Sequence, residues 1–114
     1  MKLTTKQSGN KAEKQASDYL ISQGFCILEH NYHKRYGEID IIAQKDDTLI
    51  FVEVKMRKNP IFDTRYLISP SKQKKIIKVA KEYIARYDYT QKYCRFDVIL
   101  IEKEKLTHIE NAFF

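Results

Sequence analysis

Gly37-Glu-Ile-Asp-Ile-Ile-Ala-Gln-Lys-Asp-Asp-Thr-Leu-Ile-Phe-Val-Glu-Val-Lys55 reads as two strands joined by a tight turn. Ile, Val and Phe fill both runs, and Lys45-Asp46-Asp47-Thr48 is the polar break between them. An even-membered turn centred on Asp46-Asp47 places Asp40 across from Glu53 and Glu38 across from Lys55. Alternation then puts Glu38, Asp40, Glu53 and Lys55 on one face. It leaves Ile39, Ile41, Ala43, Ile50, Val52 and Val54 to the other, as a core face.

Two carboxylates directly opposed across a ladder repel and weaken the hairpin. Opposed Cα atoms lie about 4.5–5.5 Å apart, close enough for both carboxylates to hold one divalent cation, and a lysine beside them completes a hydrolytic site. The other reading of the same residues is a solvated strand face, with Glu38 and Asp40 paired to Lys55 and other lysines.

The chain has 114 residues, which is enough for one domain over 1–114 with a single core and no covalent staples. Apolar residues make up 43% and charged residues 32%, a balance that suits a packed core under a solvated surface. The net charge of +6 favours a polyanionic partner without naming one. Cys26 and Cys94 are far apart and share no metal-type spacing with the histidines, so both are expected free and mostly buried in a reducing cytoplasm. His30 and His33 have a three-residue spacing but no matching carboxylate or thiolate partner. No apolar run approaches the roughly 20 residues of a membrane span, and the amino end carries no apolar stretch of a secretory signal.

Outward from the hairpin, residues 1–8 are polar and expected to be disordered. A helix follows from about Asn10 to Gln23, with Gly24 as its left-handed stop. Ala12, Ala16, Tyr19 and Leu20 form its buried stripe, and Glu13 lies at the border of that stripe. Phe25–Tyr32 reads as a first strand, leading into the basic and aromatic corner His33-Lys34-Arg35-Tyr36. Beyond Lys55, Arg57, Lys58 and Arg65 stand where a phosphate backbone could pass.

Ser69 as cap and Pro70 in the first turn open a second helix to about Tyr87, with Ile76, Ile77, Ala80, Tyr83, Ile84 and Tyr87 as its apolar face. Gln73 heads that stripe and needs a partner, either the helix end or a group at the site. Lys72, Lys74, Lys75, Lys78 and Lys81 make the helix basic, as a solvated face or as a docking surface for phosphates. Two strands close the chain, Arg95–Ile101 and Leu106–Ile109, around Lys103-Glu104-Lys105. Arg95 and Asp97 share a face and are read as a structural pair. The element order gives an α/β domain with a mixed sheet and helices packed on it.

Asp40 followed after a turn by Glu53-Val54-Lys55 resembles the Asp…Glu-x-Lys core of restriction-endonuclease-like nucleases. The wider set is Ala12-Glu13, Asn31-Tyr32, Gly37-Glu38-Ile39-Asp40, Phe51-Val52-Glu53-Val54-Lys55, Lys72-Gln73 and Arg95-Phe96-Asp97-Val98. Together these resemble the bacterial YraN family, itself similar to archaeal Holliday-junction resolvases, over roughly Gly9 to Ile101.

The resemblance implies a restriction-endonuclease-like α/β fold, a mixed sheet of about five strands flanked by two main helices. It implies metal-dependent hydrolysis of nucleic-acid phosphodiesters, DNA first among them; branched or recombination intermediates, flaps, nicked duplex and RNA all stay open as substrates, and a homodimer follows only from the resolvases it resembles, with no residue pattern of its own. Asp40 and Glu53 would hold Mg²⁺ or Mn²⁺, with Glu13 a further ligand directly or through water. Lys55 would position the attacking water or stabilise charge on the phosphate oxygens, Glu38 would orient Lys55, and Gln73 would orient water or phosphate. Lys34, Arg35, Arg57, Lys58, Arg65, Lys72 and Lys75 would contact nucleic acid. The rival reading is a non-catalytic binding module using the same basic surface. The chain departs from the family pattern at His33, where arginine is commoner, and at Asp63, where glycine usually follows the phenylalanine.

Overall fold

The computed structural model describes residues 5–57 and 67–114. The elements run α1 (Thr5–Ser22), β1 (Cys26–Lys34), β2 (Gly37–Lys45), β3 (Thr48–Arg57), α2 (Pro70–Arg86), β4 (Tyr93–Glu102) and β5 (Lys105–Phe113). The strands form one sheet in chain order, β1-β2-β3-β4-β5. β3 and β4 are parallel and the other neighbours antiparallel, so the sheet is mixed. A parallel pair needs a crossover connection, and α2 lies in it.

The central strands are buried on both faces, which is why β3 and β4 read as nearly unbroken apolar runs. Alternation deals their side chains to two helices. Ile50, Val52, Ile99 and Ile101 pack with Ala12, Ala16 and Leu20 of α1. Leu49, Phe51, Phe96, Val98 and Leu100 pack with Ile76, Val79, Ala80 and Tyr83 of α2. Gly24, at φ 92, ends the first helix as its sequence requires. Ser69 Oγ accepts the Lys72 N–H at 3.2 Å and Pro70 occupies the first turn, which sets the start of α2.

Several sequence expectations shift. α1 begins at Thr5 rather than Asn10, so residues 5–8 belong to a helix and not to a disordered lead. The buried face of α2 is centred on Ile76, Val79, Ala80 and Tyr83, while Tyr87 at its C-cap is exposed. Both cysteines are exposed rather than buried, because each stands at the fraying start of a strand, Cys26 in β1 and Cys94 in β4. β5 runs to Phe113, four residues past the expected end. Its tail is held by the Phe96–Phe113 stack, with centroids 5.2 Å apart, and by the Asn111 N–H, which donates to Asp97 Oδ1 at 3.0 Å.

Asp97 is fully buried at the centre of a closed polar network. Arg95 donates to both of its oxygens at 2.9 Å, and His108 Nε2 lies 2.7 Å from Oδ2. Tyr19 of α1 completes the chain, its hydroxyl 3.1 Å from His108 Nδ1. Burial alone would raise the Asp97 pKa, but His108, Arg95 and the Asn111 N–H together hold it below the usual carboxylate range. Asp97 therefore stitches β4, β5 and α1 together, and the structural pairing read from Arg95 and Asp97 is the one observed. Asp97→Ala strands Arg95 and His108 and is expected to destabilise the fold by about 3–5 kcal/mol. Urea denaturation measures this, and a loss below about 1 kcal/mol would show that the network does not hold β5.

Candidate active site

The β2–β3 hairpin turns through two residues, Asp46 and Asp47, with Asp46 left-handed at φ 53. Aspartate tolerates that conformation and suits a two-residue hairpin loop. The register is the expected one, with Lys45 opposite Thr48, Ala43 opposite Ile50 and Ile41 opposite Val52. The ladder stops there. On the neighbouring strand Asn31 is left-handed at φ 50, between the pairs His30–Ile41 and Tyr32–Ile39. β2 switches faces here: Ile39 packs on the α2 side, whereas Ile41 packs on the α1 side.

The four charged residues therefore do not line one continuous sheet face. Asp40, Glu53 and Lys55 gather at the gap where β2 leaves β3, and Glu38 does not join them. Asp40 turns into that gap and accepts the Val54 N–H on Oδ2 at 2.8 Å, so a side chain stands in for the missing strand partner. Glu53 lies beside it and accepts from Lys72 Nζ on Oε1 at 2.7 Å. Only 7% of Asp40 and 6% of Glu53 remain exposed.

Two acids this deeply buried and this close do not ionise freely together. Burial above all, and Asp40 after it, push the Glu53 pKa up to about 7. Asp40 is raised too, again chiefly by burial, although the Val54 N–H pulls it back. The two acids therefore titrate as a pair, above the ordinary carboxylate range, with burial as the main cause. Burial lowers the Lys55 pKa, and the Lys72 ammonium adds to the effect. Burial pulls Lys72 the same way, but its contacts with Glu53 lift it above the ordinary lysine value.

Asp40, Glu53, Lys55 and Lys72 thus form one cluster. Glu13 approaches Asp40 and Glu38 from α1; its pKa is raised, first by burial and further by those two carboxylates, with Asn31 opposing. It stands outside direct contact, and among the described residues no three His, Cys, Asp or Glu side chains converge as a metal-ligand group. The pair itself suits a hard divalent cation in donor type: two carboxylates on neighbouring strands, buried side by side. Glu38 does not face Lys55. It pairs with His33 across β1, with Oε2 3.5 Å from Nδ1, because the ladder that would have opposed it to Lys55 has ended.

Gln73 donates Nε2 to the Ile68 carbonyl at 2.9 Å, which is the helix-end role. His30 faces Ser17, its Nε2 3.4 Å from the hydroxyl, and shares no site with His33. Of the expected nucleic-acid contacts, Lys75 lines a cavity of about 340 Å³ with Tyr36, Glu38, Ser69, Ser71 and Lys72. Gly37 forms part of its wall, where a Cβ would stand 3.3 Å from Lys75 Cβ. Arg57 bonds the Met56 carbonyl at 3.0 Å near the end of β3, and Lys34 lies 5.4 Å from the Tyr32 ring. Arg35 is exposed in the β1–β2 turn, while Lys58, Asp63 and Arg65 lie outside the described residues. Sequence reasoning gave Lys72 to phosphate docking and missed its contact with Glu53. Its place three residues after the Ser69 cap was the available signal.

The sequence model described as "Uncharacterised protein family UPF0102" matches residues 12–101. The chain is 47% identical over 106 residues to the UPF0102 protein of Campylobacter fetus, covering 93% of both chains. It is 46% identical over 112 residues to that of Nitrosomonas eutropha, covering 96% of both. The UPF0102 protein of Clostridioides difficile matches at 47% over 115 residues, with 97% of this chain and 100% of that one covered. This chain belongs to the UPF0102 family. Among solved structures it resembles Archaeoglobus fulgidus Hjc, a Holliday junction resolvase from an archaeal hyperthermophile, with a TM-score of 0.62 and 17% identity over 89% of this chain and 75% of that one. At that identity the likeness establishes the fold, which is restriction-endonuclease-like.

The raised Glu53 pKa has a measurable consequence. An acid whose native pKa exceeds its unfolded value binds its proton more tightly when folded. Stability therefore falls as pH rises from about 4.5 to about 7, the two values for Glu53. Glu53→Gln removes that dependence. In urea melts with chelator present, the stability difference between variant and wild type is expected to grow in the variant's favour by about 1–3 kcal/mol from pH 4.5 to pH 8. Parallel pH profiles for the two proteins would overturn the raised Glu53 pKa.

Proposed function

We propose that this UPF0102 chain is a single-domain, divalent-cation-dependent DNA endonuclease, acting on branched or recombination intermediates. The observation that carries the reading is the buried Asp40–Glu53 pair with Lys55 and Lys72 against it. A like-charged pair costs the fold stability wherever it is not used, and perturbed carboxyls of this kind gather at functional sites. The fold shared with a Holliday junction resolvase supports the same reading.

Asp40 and Glu53 would hold Mg²⁺ or Mn²⁺, and Glu13, set back from the pair, would act through a retained water. Such a cation lowers the pKa of water and offsets charge on the phosphate oxygens when bound. The chain's own residues do the remaining work. The Val54 N–H fixes the Asp40 carboxylate so that it cannot rotate away. Lys55 places an ammonium beside Glu53, where it orients the attacking water and meets the growing charge on the phosphate. Lys75, Arg57, Lys34 and Arg35, with Lys58 and Arg65, would carry the phosphate backbone past this point. A four-way junction needs two cuts, so a homodimer belongs to the reading. A cytoplasmic setting fits the two free cysteines, and among the described residues no helix is long and apolar enough to cross a membrane.

The Lys72–Glu53 contact also suits a second reading, a binding module in which a lysine neutralises the pair. A panel of labelled linear, flapped and four-way substrates with Mg²⁺ or Mn²⁺ separates the two. Asp40→Asn is the control because asparagine can still accept the Val54 N–H. Cleavage by this variant is expected to fall by about 10²-fold or more, with its melting temperature near that of wild type. Unchanged cleavage would remove Asp40 from the chemistry. Metal-free DNA binding, read by anisotropy across a salt series, is expected to have a log–log slope of about −4 to −5, for roughly 4–6 neutralised phosphates. A slope near zero would exclude electrostatic docking.

A further inference from the structure

Lys72 lies nearer the acids than any docking residue needs to. Its Nζ is 2.7 Å from Glu53 Oε1, and the two side chains differ sharply in freedom: 40% of Lys72 is exposed against 7% of Glu53. The backbone on the lysine side is pinned, since the Lys72 N–H is held by Ser69 Oγ at the cap. The glutamate sits within a strand paired with β4 along its whole length. Only the flexible lysine stem can change position. It also has somewhere to go, because Lys72 lines the 340 Å³ cavity with Lys75, Ser69 and Ser71.

A divalent cation seated between Asp40 and Glu53 would set two positive charges beside an ammonium already in contact. Like charges at contact distance in a partly dry site repel strongly. Lys55 stands beside Glu53 on β3, whereas Lys72 is the lysine in hydrogen-bond contact with Glu53 and lining the cavity. The charge that must yield is Lys72.

We infer that Lys72 is an exchangeable counter-ion, holding the cation's place on Glu53 in the metal-free protein and swinging into the adjacent cavity to meet a substrate phosphate when the cation arrives. This rests on the Asp40–Glu53 pair being the cation site. It gives the lysine two partners in sequence, a carboxylate and then a phosphate. It also keeps the unloaded pair from facing water-excluded repulsion uncompensated. Lys72 and the cation compete for one oxygen, so removing the lysine's charge must tighten cation binding.

The test is Mn²⁺ binding to the full chain without DNA at pH 8, followed by calorimetry and by the electron-spin signal of free Mn²⁺. Lys72→Met is expected to bind Mn²⁺ about ten- to a hundredfold more tightly than wild type, the equivalent of one charge-assisted hydrogen bond no longer broken. Lys72→Gln keeps a donor without the charge, shifts the same way, and covers the case in which the methionine variant does not fold. Lys72→Arg retains the competing charge and stays near wild type, as does Lys81→Met on the exposed side of α2. A lysine that only braces the fold would lower the melting temperature in all three Lys72 variants and leave Mn²⁺ affinity unmoved. Wild-type binding with equal or weaker binding by both neutral variants overturns the exchange and spares the metal site. No Mn²⁺ binding by any of these proteins overturns the metal site and the exchange together.

Discussion

Asp40 and Glu53 are acids buried side by side, and the organisation of the hairpin, α2 and the sheet's open side follows from keeping them there. Two unit charges about 4 Å apart repel by about 4 kcal/mol at the effective dielectric of a protein margin. Desolvation adds to that. The chain answers with a backbone N–H for Asp40 and an ammonium for Glu53. These partners make the repulsion tolerable in a resting protein. On the proposed reading, displacing Lys72 frees carboxylate oxygens for a compact, hard cation.

The sheet explains why the pair is rigid. β3 is flanked on both sides and buried from Leu49 to Glu53, so its backbone cannot relax away from the repulsion. β2 cannot follow β3 past Ile41, and the gap opens at the level of the acids. The parallel β3–β4 pairing obliges the chain to cross over, and the crossover delivers the first turn of α2 against Glu53. In open α/β sheets, ligands gather beyond the carboxyl ends of the strands, and the end of β3 is where Lys55, Arg57 and the basic helix start converge.

Local chemistry made much of this legible. The two-residue turn and the alternating runs gave the hairpin register, Gly24 gave the end of α1, and Ser69-Pro70 gave the start of α2. The parting of the strands was not legible. β2 switches faces between Ile39 and Ile41, and a pattern of strict alternation assigns Ile39 to the wrong side. The reach of Lys72 to Glu53 depends on how a helix settles across a sheet 19 residues from its partner. The length of β5 was hidden for the same reason, since its tail is held by Asp97 and Phe96 on another strand. Gln73 was ambiguous in sequence because a polar residue heading a buried stripe needs some partner, and the nearest carbonyl satisfied it.

The sheet carries a second buried acid, and the contrast separates scaffold from site. Asp97 is more deeply buried than either Asp40 or Glu53, yet its pKa is lowered while theirs are raised. Arg95 grips both of its oxygens, and His108 and the Asn111 N–H fill the remaining directions, so no lone pair faces a gap. That closure makes a good strut and leaves nothing to bind with. At Asp40 and Glu53 the partners are fewer, one of them is a half-exposed lysine, and a cavity opens alongside. Burial by itself therefore does not mark a functional carboxyl in this fold. The mark is burial with compensation left incomplete, in a place that an ion and a phosphate can reach.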